Sequence, residues 1–372
     1  MDKKISTPVF VFPNIDRVDT SLKDLLSRFD SYGSAYSESI GNPDQKLNIV
    51  CGTSNKNNFK HLEYKSLNLH VKELTKFGLI RYLIYVSSLI RSGVINPRIL
   101  IAGDPFRGLF ICRSLRAFKV TKSRIQVSLH GEISELGFGS SIKAKLSNLL
   151  FRILVKGVDS IRLVLEDQIR NSQTAFGILS ERIVVAPVPI SLDFIDLPNR
   201  SPNRTIGFVG RLHNERGVNL WIEAIRALKA KNSDFSLRII GDGPLRKHFE
   251  AEVEKIGVPY VFTGRLTQSE LKNEWAAISV LLSAAPAESY GMAMREAVLQ
   301  GCAVVSLENS GSRDVARQYP NSVNLFIDLV SGAQLIAEVL SKEILIKEVE
   351  RYRNEFVQTQ KENINKLVKS WA

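Results

Sequence analysis

The sequence of 372 residues contains few cysteines and no long apolar run. The three cysteines, Cys51, Cys112 and Cys302, lie far apart and form neither a CxxC pair nor a zinc-ligand spacing. This pattern excludes a disulfide framework and favours a reducing compartment. No stretch reaches the roughly 18 apolar residues of a membrane-spanning helix, and the N-terminal segment lacks the h-region and cleavage site of a signal peptide. We therefore expect a cytoplasmic protein with no membrane span.

The most apolar stretch is FGLIRYLIYVSSLI at residues 77–90, which contains Arg81 in its interior. A charge inside so short a segment favours a buried helix over a membrane segment. The composition, 44 % hydrophobic and 24 % charged, is typical of globular proteins. A chain of this length exceeds one ordinary core, so two domains are expected.

Positive charge is concentrated in the first half of the chain. Residues 1–200 hold 28 Lys and Arg against 18 Asp and Glu, which is most of the net charge of +12. Such an excess is either a general solubility charge or an attraction for an anionic surface or substrate. No zinc-finger, RNP or homeodomain-like pattern is present, so we expect no nucleic-acid partner.

Strand-like apolar runs alternate with helical segments along the chain. Examples are LNIVCG at 47–52, RILIAGD at 98–104 and TIGFVGRL at 205–212. Near-continuous apolar strands separated by helices predict α/β domains whose parallel sheets are covered on both faces. The predicted organisation is an N-terminal domain (1–190), a polar, proline-bearing linker (191–204), a second domain (205–345) and a C-terminal helix (346–372) that packs back toward the first domain.

Residues 288–297, ESYGMAMREA, place two carboxylates around a glycine where a helix should begin. A helix N-terminus presents N–H groups and partial positive charge, which attract phosphate. Glu296 would lie about 7 Å along the helix axis, where it can accept the paired hydroxyls of a ribose. Glu288, before the helix, can accept hydroxyls from a second sugar. A surface Glu and a helix-capping Glu would fit the same ten residues, so both interpretations stay open.

The segment GFVGRLHNERG at 207–217 places Arg211 just after a predicted strand, with Arg216 and Gly217 at the start of the next helix. Two guanidiniums near the carboxyl end of a strand can bind a diphosphate through bidentate hydrogen bonds. The alternative is a pair of solvated loop arginines.

Residues 203–316 resemble the donor-binding domain of the retaining, family-four type of nucleotide-sugar glycosyltransferases. The motifs follow in the family's order: GFVGRLHNERG, LRIIGDGPLR, VFTGRLTQSELKNEWAAISVLLSA and ESYGMAMREA. The resemblance implies the α/β GT-B fold, in which two Rossmann-like domains face a central cleft. It also implies a UDP- or GDP-type nucleotide sugar as donor and a saccharide or lipid-linked acceptor, in surface polysaccharide or lipopolysaccharide synthesis.

The resemblance further implies roles for individual residues. The implied donor-binding residues are Gly210, Arg211, Arg216, Gly264, Arg265, Leu266, Glu288, Tyr290, Gly291, Met292, Ala293 and Glu296. Arg211 and Arg216 would hold the diphosphate. Glu296 would bind the ribose, and Glu288 would bind the transferred sugar. The loop 264–266 would lie beside the base.

In the first half, RIQVSLHGE at 124–132 ends a predicted strand at His130, where many family members have a histidine facing the reacting sugar. The implied catalytic residues are therefore His130, Arg211, Arg216 and Glu288. The alternative for His130 is a strand-end imidazole bonded to backbone. No D-x-D triplet occurs in the chain, so the resemblance implies transfer without a metal and without any cofactor besides the donor substrate.

The segment KAKLSNLLFRILVKG at 143–157 contains an apolar stripe at helical spacing, flanked by basic residues. The stripe comprises Leu146, Leu149, Leu150, Ile153 and Leu154. We expect it to face a core. The alternative is a basic amphipathic helix that lies on an anionic membrane, peripheral to its inner face.

Two other functions are compatible with the sequence. One is a nucleotide-sugar epimerase on the same fold, which acceptor-dependent release of nucleoside diphosphate would distinguish. The other is a non-catalytic glycan- or nucleic-acid-binding protein. The presence of Arg211, Glu288 and Glu296 argues against this second alternative.

Overall fold

The structure is a computed structural model and describes part of the chain as two compact units. The described residues are 6–14, 22–53, 61–74, 78–130, 142–190, 194–197, 204–231, 234–342 and 346–371. Unit 1 comprises Met1–Pro189 with Gln360–Ala372, and unit 2 comprises Ile190–Thr359. Most of the predicted linker 191–204 lies outside the described residues.

Unit 1 has an eight-stranded sheet within the described ranges. The strands are β1 (Thr7–Phe12), β2 (Leu47–Thr53), β3 (His61–Tyr64), β4 (Leu67–Glu73), β5 (Pro97–Ala102), β6 (Arg124–Ser128), β7 (Ser160–Leu163) and β8 (Ile183–Val185). Their order is β3-β4-β2-β1-β5-β6-β7-β8, and every pair is parallel except β3 with β4. All seven residues of β2 are buried, as expected for a parallel strand covered on both faces.

Helices cover both faces of this sheet. They are α1 (Leu22–Ser39), α2 (Gly78–Arg91), α3 (Arg107–Ala117), α4 (Ile142–Val155) and α5 (Gln168–Phe176). One apolar cluster joins α2, α3 and α4 to the sheet. The cluster on the other face joins α1 to the last residues of the chain, among them Trp371.

Unit 2 has a six-stranded parallel sheet among the residues that are described. Its strands are β9 (Thr205–Val209), β10 (Ser236–Ile240), β11 (Tyr260–Gly264), β12 (Val280–Ser283), β13 (Ala303–Leu307) and β14 (Val323–Phe326). Its helices are α6 (Val218–Lys229), α7 (Arg246–Ile256), α8 (Gln268–Ala276), α9 (Met292–Leu299), α10 (Ser310–Gln318), α11 (Leu329–Leu340) and α12 (Ile346–Lys369), of which the last ends among residues of unit 1. The strand order is β11-β10-β9-β12-β13-β14, the order of a doubly wound dinucleotide-binding sheet.

The prediction of two α/β domains with parallel sheets is confirmed by these strand orders. Strands β1, β3, β4 and β14 are additional to those predicted, and β3 and β14 are short or polar. The segment of β3, HLEY, is exposed at alternate positions on the sheet edge, and β14 has only four residues, one of them Asn324. Such segments lack the continuous apolar run that identifies a buried strand.

The expectation that the apolar stripe of α4 faces a core is wrong for most of its length. The exposed residues are Leu146, Leu149, Leu150 and Ile153, while Leu154 is partly buried. Phe151 and Val155 enter the core instead. They are one turn apart on the face that meets the sheet. Helix α4 thus has apolar residues on more than one side, and it can bury only one of these sides against the sheet. The side chains of Lys143 and Lys145 lie outside the described part of the chain.

Helix α2 corresponds to the segment expected to be a buried helix, and this expectation holds for one face only. Tyr82 and Val86 are buried, and Ile80 and Ile84 are exposed. No helix in the described part of the chain combines the length and apolar character needed to cross a membrane.

Trp371 completes the second cluster of unit 1. Its ring meets Phe10 and Tyr32 edge to face, with centroids 5.5 and 6.1 Å away. Its Nε1 donates a hydrogen bond to Oε1 of Gln126 at 3.1 Å. The indole is fully buried, so its apolar area and its polar group are both satisfied inside unit 1.

We predict that Trp371→Ala lowers the free energy of unfolding by about 3 to 5 kcal/mol, because it leaves a large cavity and removes the partner of the Gln126 side-chain carbonyl oxygen. Urea denaturation followed by circular dichroism measures the change. Phe118→Ala is the control, since Phe118 is 69 % exposed and its loss should change stability by less than about 0.5 kcal/mol. Equal urea midpoints for the two variants would contradict the assignment.

Candidate functional site

A pocket in unit 2 lies where the carboxyl ends of β9 and β12 are adjacent. From β9 the chain continues to β10 on one side, and from β12 it continues to β13 on the other. Connections that leave in opposite directions open a crevice at the end of the sheet, which is where such folds bind ligands. The lining residues are Phe208, Val209, Arg216, Leu281, Leu282, Ser283, Ala284, Ala285, Glu288, Gly291, Ala293 and Met294. Four of the residues implied by the motifs therefore line a single pocket.

Gly217 lets the loop after β9 approach the end of β12. Its φ is 64°, a left-handed value that glycine adopts readily. A Cβ at this position would lie 1.8 Å from the carbonyl oxygen of Ala284, so a side chain would force these two backbones apart. The close approach brings the neighbouring Arg216 to the segment that contains Glu288.

Arg216 and Glu288 form an ion pair at the pocket. Nη1 of Arg216 donates to Oε2 of Glu288. The arginine side chain is 44 % exposed and the carboxylate side chain 16 % exposed. The cation implied for phosphate and the carboxylate implied for a sugar thus meet each other. A ligand with both a diphosphate and sugar hydroxyls would offer each of them a new partner.

Arg211 lies two residues beyond β9 and pairs within its own loop. Its Nη2 is 2.7 Å from Oε2 of Glu215, which lies in the 3₁₀ turn Asn214–Arg216. Both side chains are largely exposed, so the pair contributes at most about 1 kcal/mol. Arg211 is absent from the residues that line the pocket.

Helix α9 begins beside the pocket without a side-chain cap. Gly291 precedes it with φ 70°, and its missing side chain leaves the first-turn amides uncapped. Backbone N–H groups at such an end are suited to bind anionic groups. A Cβ on Gly291 would lie 2.6 Å from Cε of Met294 and 2.9 Å from Cγ2 of Val315. Glycine here therefore lets α9 start close to α10.

Arg295 holds the segment before α9 in place, and sequence reasoning missed it. The residue is only 1 % exposed, and its Nε donates to the carbonyl oxygen of Tyr290 at 3.0 Å. Its guanidinium also lies 4.1 Å from the centroid of the Tyr290 ring and pairs with Asp314 of α10. A buried arginine needs such partners. Asp314 is 19 positions away, so no local pattern could have identified the pair.

The start of α10 fixes the other side of the same segment. The carbonyl oxygen of Glu288 accepts hydrogen bonds from the Gly311 amide at 2.8 Å and from Ser310 Oγ at 3.3 Å. Nδ2 of Asn309 donates to the carbonyl oxygen of Ala285 at 3.0 Å. Asn309 and Ser312 also form a capping box. That box could have been recognised in the sequence as a helix start, but its contacts to the pocket segment could not.

Glu296 is buried in the second turn of α9, with 7 % of its surface exposed. The interpretation of this residue as a surface Glu is therefore wrong. It is not among the lining residues of the pocket. Met292 and Ala293, which the resemblance also assigns to binding of the donor substrate, lie in the first turn of the same helix. Ala293 lines the pocket.

The residues expected beside the base lie at the same edge of the sheet but further along it. Gly264 ends β11, which is separated from β9 by β10. The carbonyl oxygen of Gly264 accepts a hydrogen bond from the Gly241 amide at 2.8 Å. Arg265 is exposed, whereas Leu266 is half-buried against an apolar cluster of unit 2. Gly210, the remaining implied donor residue, follows β9 directly.

His130 belongs to unit 1 and follows β6 by two residues. Desolvation by surrounding protein atoms, together with repulsion from the cationic Arg162 and Arg28, lowers the pKa of His130 to about 3. The residue nevertheless retains solvent-accessible surface. Its imidazole is therefore neutral at neutral pH and can exchange hydrogen bonds with a ligand, but it supplies no charge. Within the described ranges, no group of three or more His, Cys, Asp or Glu residues is arranged to hold a metal ion.

Comparison with known proteins agrees with this geometry. Residues 203–342 match the model of the family described as glycosyl transferases group 1. The 2-deoxystreptamine glucosyltransferase of Streptomyces kanamyceticus is 36 % identical over 111 residues, 29 % of each chain. The GDP-mannose-dependent alpha-mannosyltransferase of Corynebacterium glutamicum is 30 % identical over 127 residues, 34 % of this chain and 28 % of that one. The matched segments thus span less than a third of either curated relative.

A solved structure matches over nearly the whole length. Anabaena Alr3699/HepE, crystallised in complex with UDP and glucose, superimposes with a TM-score of 0.71 at 15 % identity, covering 98 % of this chain and 99 % of that one. Identity this low establishes the fold alone. The chain therefore has the GT-B fold, and its residues 203–342 match the glycosyl transferases group 1.

Proposed function

We propose that this protein is a retaining hexosyltransferase that moves a sugar from a nucleoside-diphosphate sugar to a saccharide or lipid-linked acceptor, in the synthesis of surface polysaccharide or lipopolysaccharide. The observation that supports this most directly is the pocket between β9 and β12. A guanidinium, a carboxylate and a helix N-terminus meet there, on Arg216, Glu288 and Gly291. These groups match a diphosphate that is attached to a sugar. The curated relatives are named for glucosyl and mannosyl transfer.

The proposed reaction joins the acceptor oxygen to the anomeric carbon of the donor sugar. The bond from that carbon to the β-phosphate oxygen breaks, and the nucleoside diphosphate leaves. The acceptor proton passes to the departing phosphate oxygen on the same face of the sugar, so the anomeric configuration is retained. Glu288 would accept hydrogen bonds from the hydroxyls of the transferred sugar, and the neutral His130 would form a hydrogen bond with that sugar.

Negative charge grows on the β-phosphate as the bond breaks, and groups of the chain itself would stabilise that charge. Arg211 and Arg216 would provide positive charge, and the first-turn amides of α9 would donate hydrogen bonds. Donors that are fixed before the reaction stabilise such charge without reorganising. Arg295 serves this preorganisation, because its contacts fix the backbone of Tyr290 just before α9. We propose that transfer needs no metal ion for this reason.

Substrate conversion tests the proposed activity. The purified chain is incubated with UDP- and GDP-hexoses, with and without lipid-linked or oligosaccharide acceptors, and nucleoside diphosphate release is measured. We expect release that depends on the acceptor and a product whose anomeric configuration by NMR equals that of the donor. A donor epimerised without acceptor would indicate the epimerase instead. Conversion of no nucleotide sugar in the presence of any acceptor would contradict both.

Comparing nucleotides that differ in one group tests the proposed contacts to the diphosphate and to the ribose separately. We predict that Arg216→Ala weakens binding of the preferred nucleoside diphosphate roughly 10- to 100-fold and binding of its monophosphate far less, because only the diphosphate reaches the guanidinium. Glu296→Gln should likewise weaken the ribonucleotide more than its 2′-deoxy form. Isothermal titration calorimetry with UDP, UMP and dUDP, or their guanosine counterparts, measures both effects.

Arg226→Ala is a matched control for this prediction. Arg226 is 46 % exposed and pairs with Glu252, whose side chain is 18 % exposed, but it lies on α6 outside the pocket. Its loss should leave nucleotide affinity unchanged. If Arg216→Ala and Arg226→Ala bind UDP or GDP equally well, the assigned diphosphate site is wrong.

A glycine pair separates backbone strain from the shape of the pocket. Gly217 and Gly177 have φ values of 64° and 66°, but a Cβ on Gly177 meets nothing within 4 Å. We predict that Gly177→Ala costs about 1 to 2 kcal/mol of stability and leaves nucleotide affinity unchanged. Gly217→Ala should cost more and also weaken UDP or GDP binding, because Ala284 and Arg216 must move. Thermal denaturation and calorimetry check this, and unaltered nucleotide affinity in Gly217→Ala would disagree with it.

A further inference from the structure

Helices α2, α3 and α4 form one layer on a single face of the unit 1 sheet. Helix α3 packs against both of the others. All three contribute buried residues to the same cluster, including Tyr82 from α2, Leu109 from α3 and Phe151 from α4. Since their inner faces meet one cluster, their outer faces share one side of unit 1. We call this outer surface the α2–α4 face.

The α2–α4 face displays large apolar side chains that no part of the described chain covers. They are Ile80, Ile84, Phe110, Leu146, Leu149, Leu150 and Ile153, between 39 % and 65 % exposed. Single exposed apolar residues are ordinary on protein surfaces. A group of this size on three neighbouring helices is unusual and marks an interaction surface.

The charges of these helices have one sign. The three segments contain eight Lys and Arg and no Asp or Glu. Arg91, Arg107 and Arg152 are exposed, as is Lys156 just beyond α4. Asp104, which precedes α3, accepts hydrogen bonds from the amides at the start of that helix. The cationic character of the face therefore comes from the helices themselves.

We propose that the α2–α4 face docks on an anionic lipid membrane. Its leucines and isoleucines would enter the boundary of the acyl chains, while its arginines and lysines would lie level with the lipid phosphates. A second copy of this chain would bring the same positive charge against the face, so charge opposes self-association through it. A bilayer with anionic headgroups satisfies both the apolar and the cationic components.

This docking extends the proposed function, because it would bring the transferase to lipid-linked acceptors at the inner face of the membrane. Membrane docking does not depend on catalysis, so it can be measured without a sugar donor. Failure to bind vesicles would leave the nucleotide site unaffected, and failure to bind nucleotide would leave the membrane contact unaffected.

The test is flotation of the full chain with vesicles of phosphatidylcholine alone or mixed with phosphatidylglycerol. We expect retention by the mixed vesicles at low salt and much weaker retention by phosphatidylcholine alone. The double substitution Leu149→Gln/Ile153→Gln should lower the partition coefficient about tenfold or more. Arg152→Gln/Lys156→Gln should lower it by roughly the same factor at low salt, and added NaCl should reduce wild-type retention.

Matched controls are available in unit 2. Ile327 and Val330 are 75 % and 72 % exposed, so Ile327→Gln/Val330→Gln removes equivalent apolar surface elsewhere and should float like wild type. Arg313→Gln/Arg351→Gln is the corresponding charge control, since both arginines are more than half exposed. Circular dichroism confirms that each variant is folded.

Three outcomes would overturn the proposal. The first is wild-type protein that stays out of mixed vesicles at low salt. The second is equal flotation of wild type and Leu149→Gln/Ile153→Gln. The third is a wild-type protein that is dimeric in light scattering and does not bind vesicles, while Leu149→Gln/Ile153→Gln is monomeric. That result would assign the face to a second copy.

Discussion

The candidate chemistry of unit 2 depends on the parallel pairing of β9 with β12. Val280 pairs with Ile206 and Leu281 with Gly207, so both strands end at the same edge of the sheet. The chain then leaves them in opposite directions, and the two loops must separate. The space between them receives a cation from the first loop and a carboxylate from the second. Strand pairing thus positions Arg216 and Glu288, which are far apart in sequence.

Two arginines near the pocket have different physical roles, and magnitudes distinguish them. The Arg216–Glu288 pair is partly solvated, so replacing this ion pair with contacts to a ligand requires little free energy. Arg295 and Asp314 are largely buried, and removal of one partner from such a pair costs about 3 to 5 kcal/mol. The buried pair therefore fixes the shape of the segment, and the exposed pair provides groups that a ligand can engage.

Local sequence patterns predicted much of the fold and part of the site. Continuous apolar runs such as LNIVCG predicted the parallel strands. The apolar periodicity also predicted where helices begin, which placed Gly217 and Gly291 at helix starts. Contacts between distant segments could not be predicted in this way, as the Arg295–Asp314 pair illustrates. The outward side of α4 also escaped prediction, because its sequence is apolar around most of the helix and only the sheet beneath selects Phe151 over Leu149. The roles of Arg211, Arg216, Glu288, Glu296 and His130 are proposals.

The position of Trp371 bears on how the chain folds. Unit 1 is discontinuous in sequence: Phe10 and Trp371 meet in one cluster, while unit 2 occupies the residues between the two parts. Contacts between such remote segments close a very long loop and form late. During synthesis, a ribosome must deliver all of unit 2 before this aromatic cluster can close. Unit 2, a continuous segment, can therefore complete its core first, although unit 1 contains the residues that are synthesised earliest.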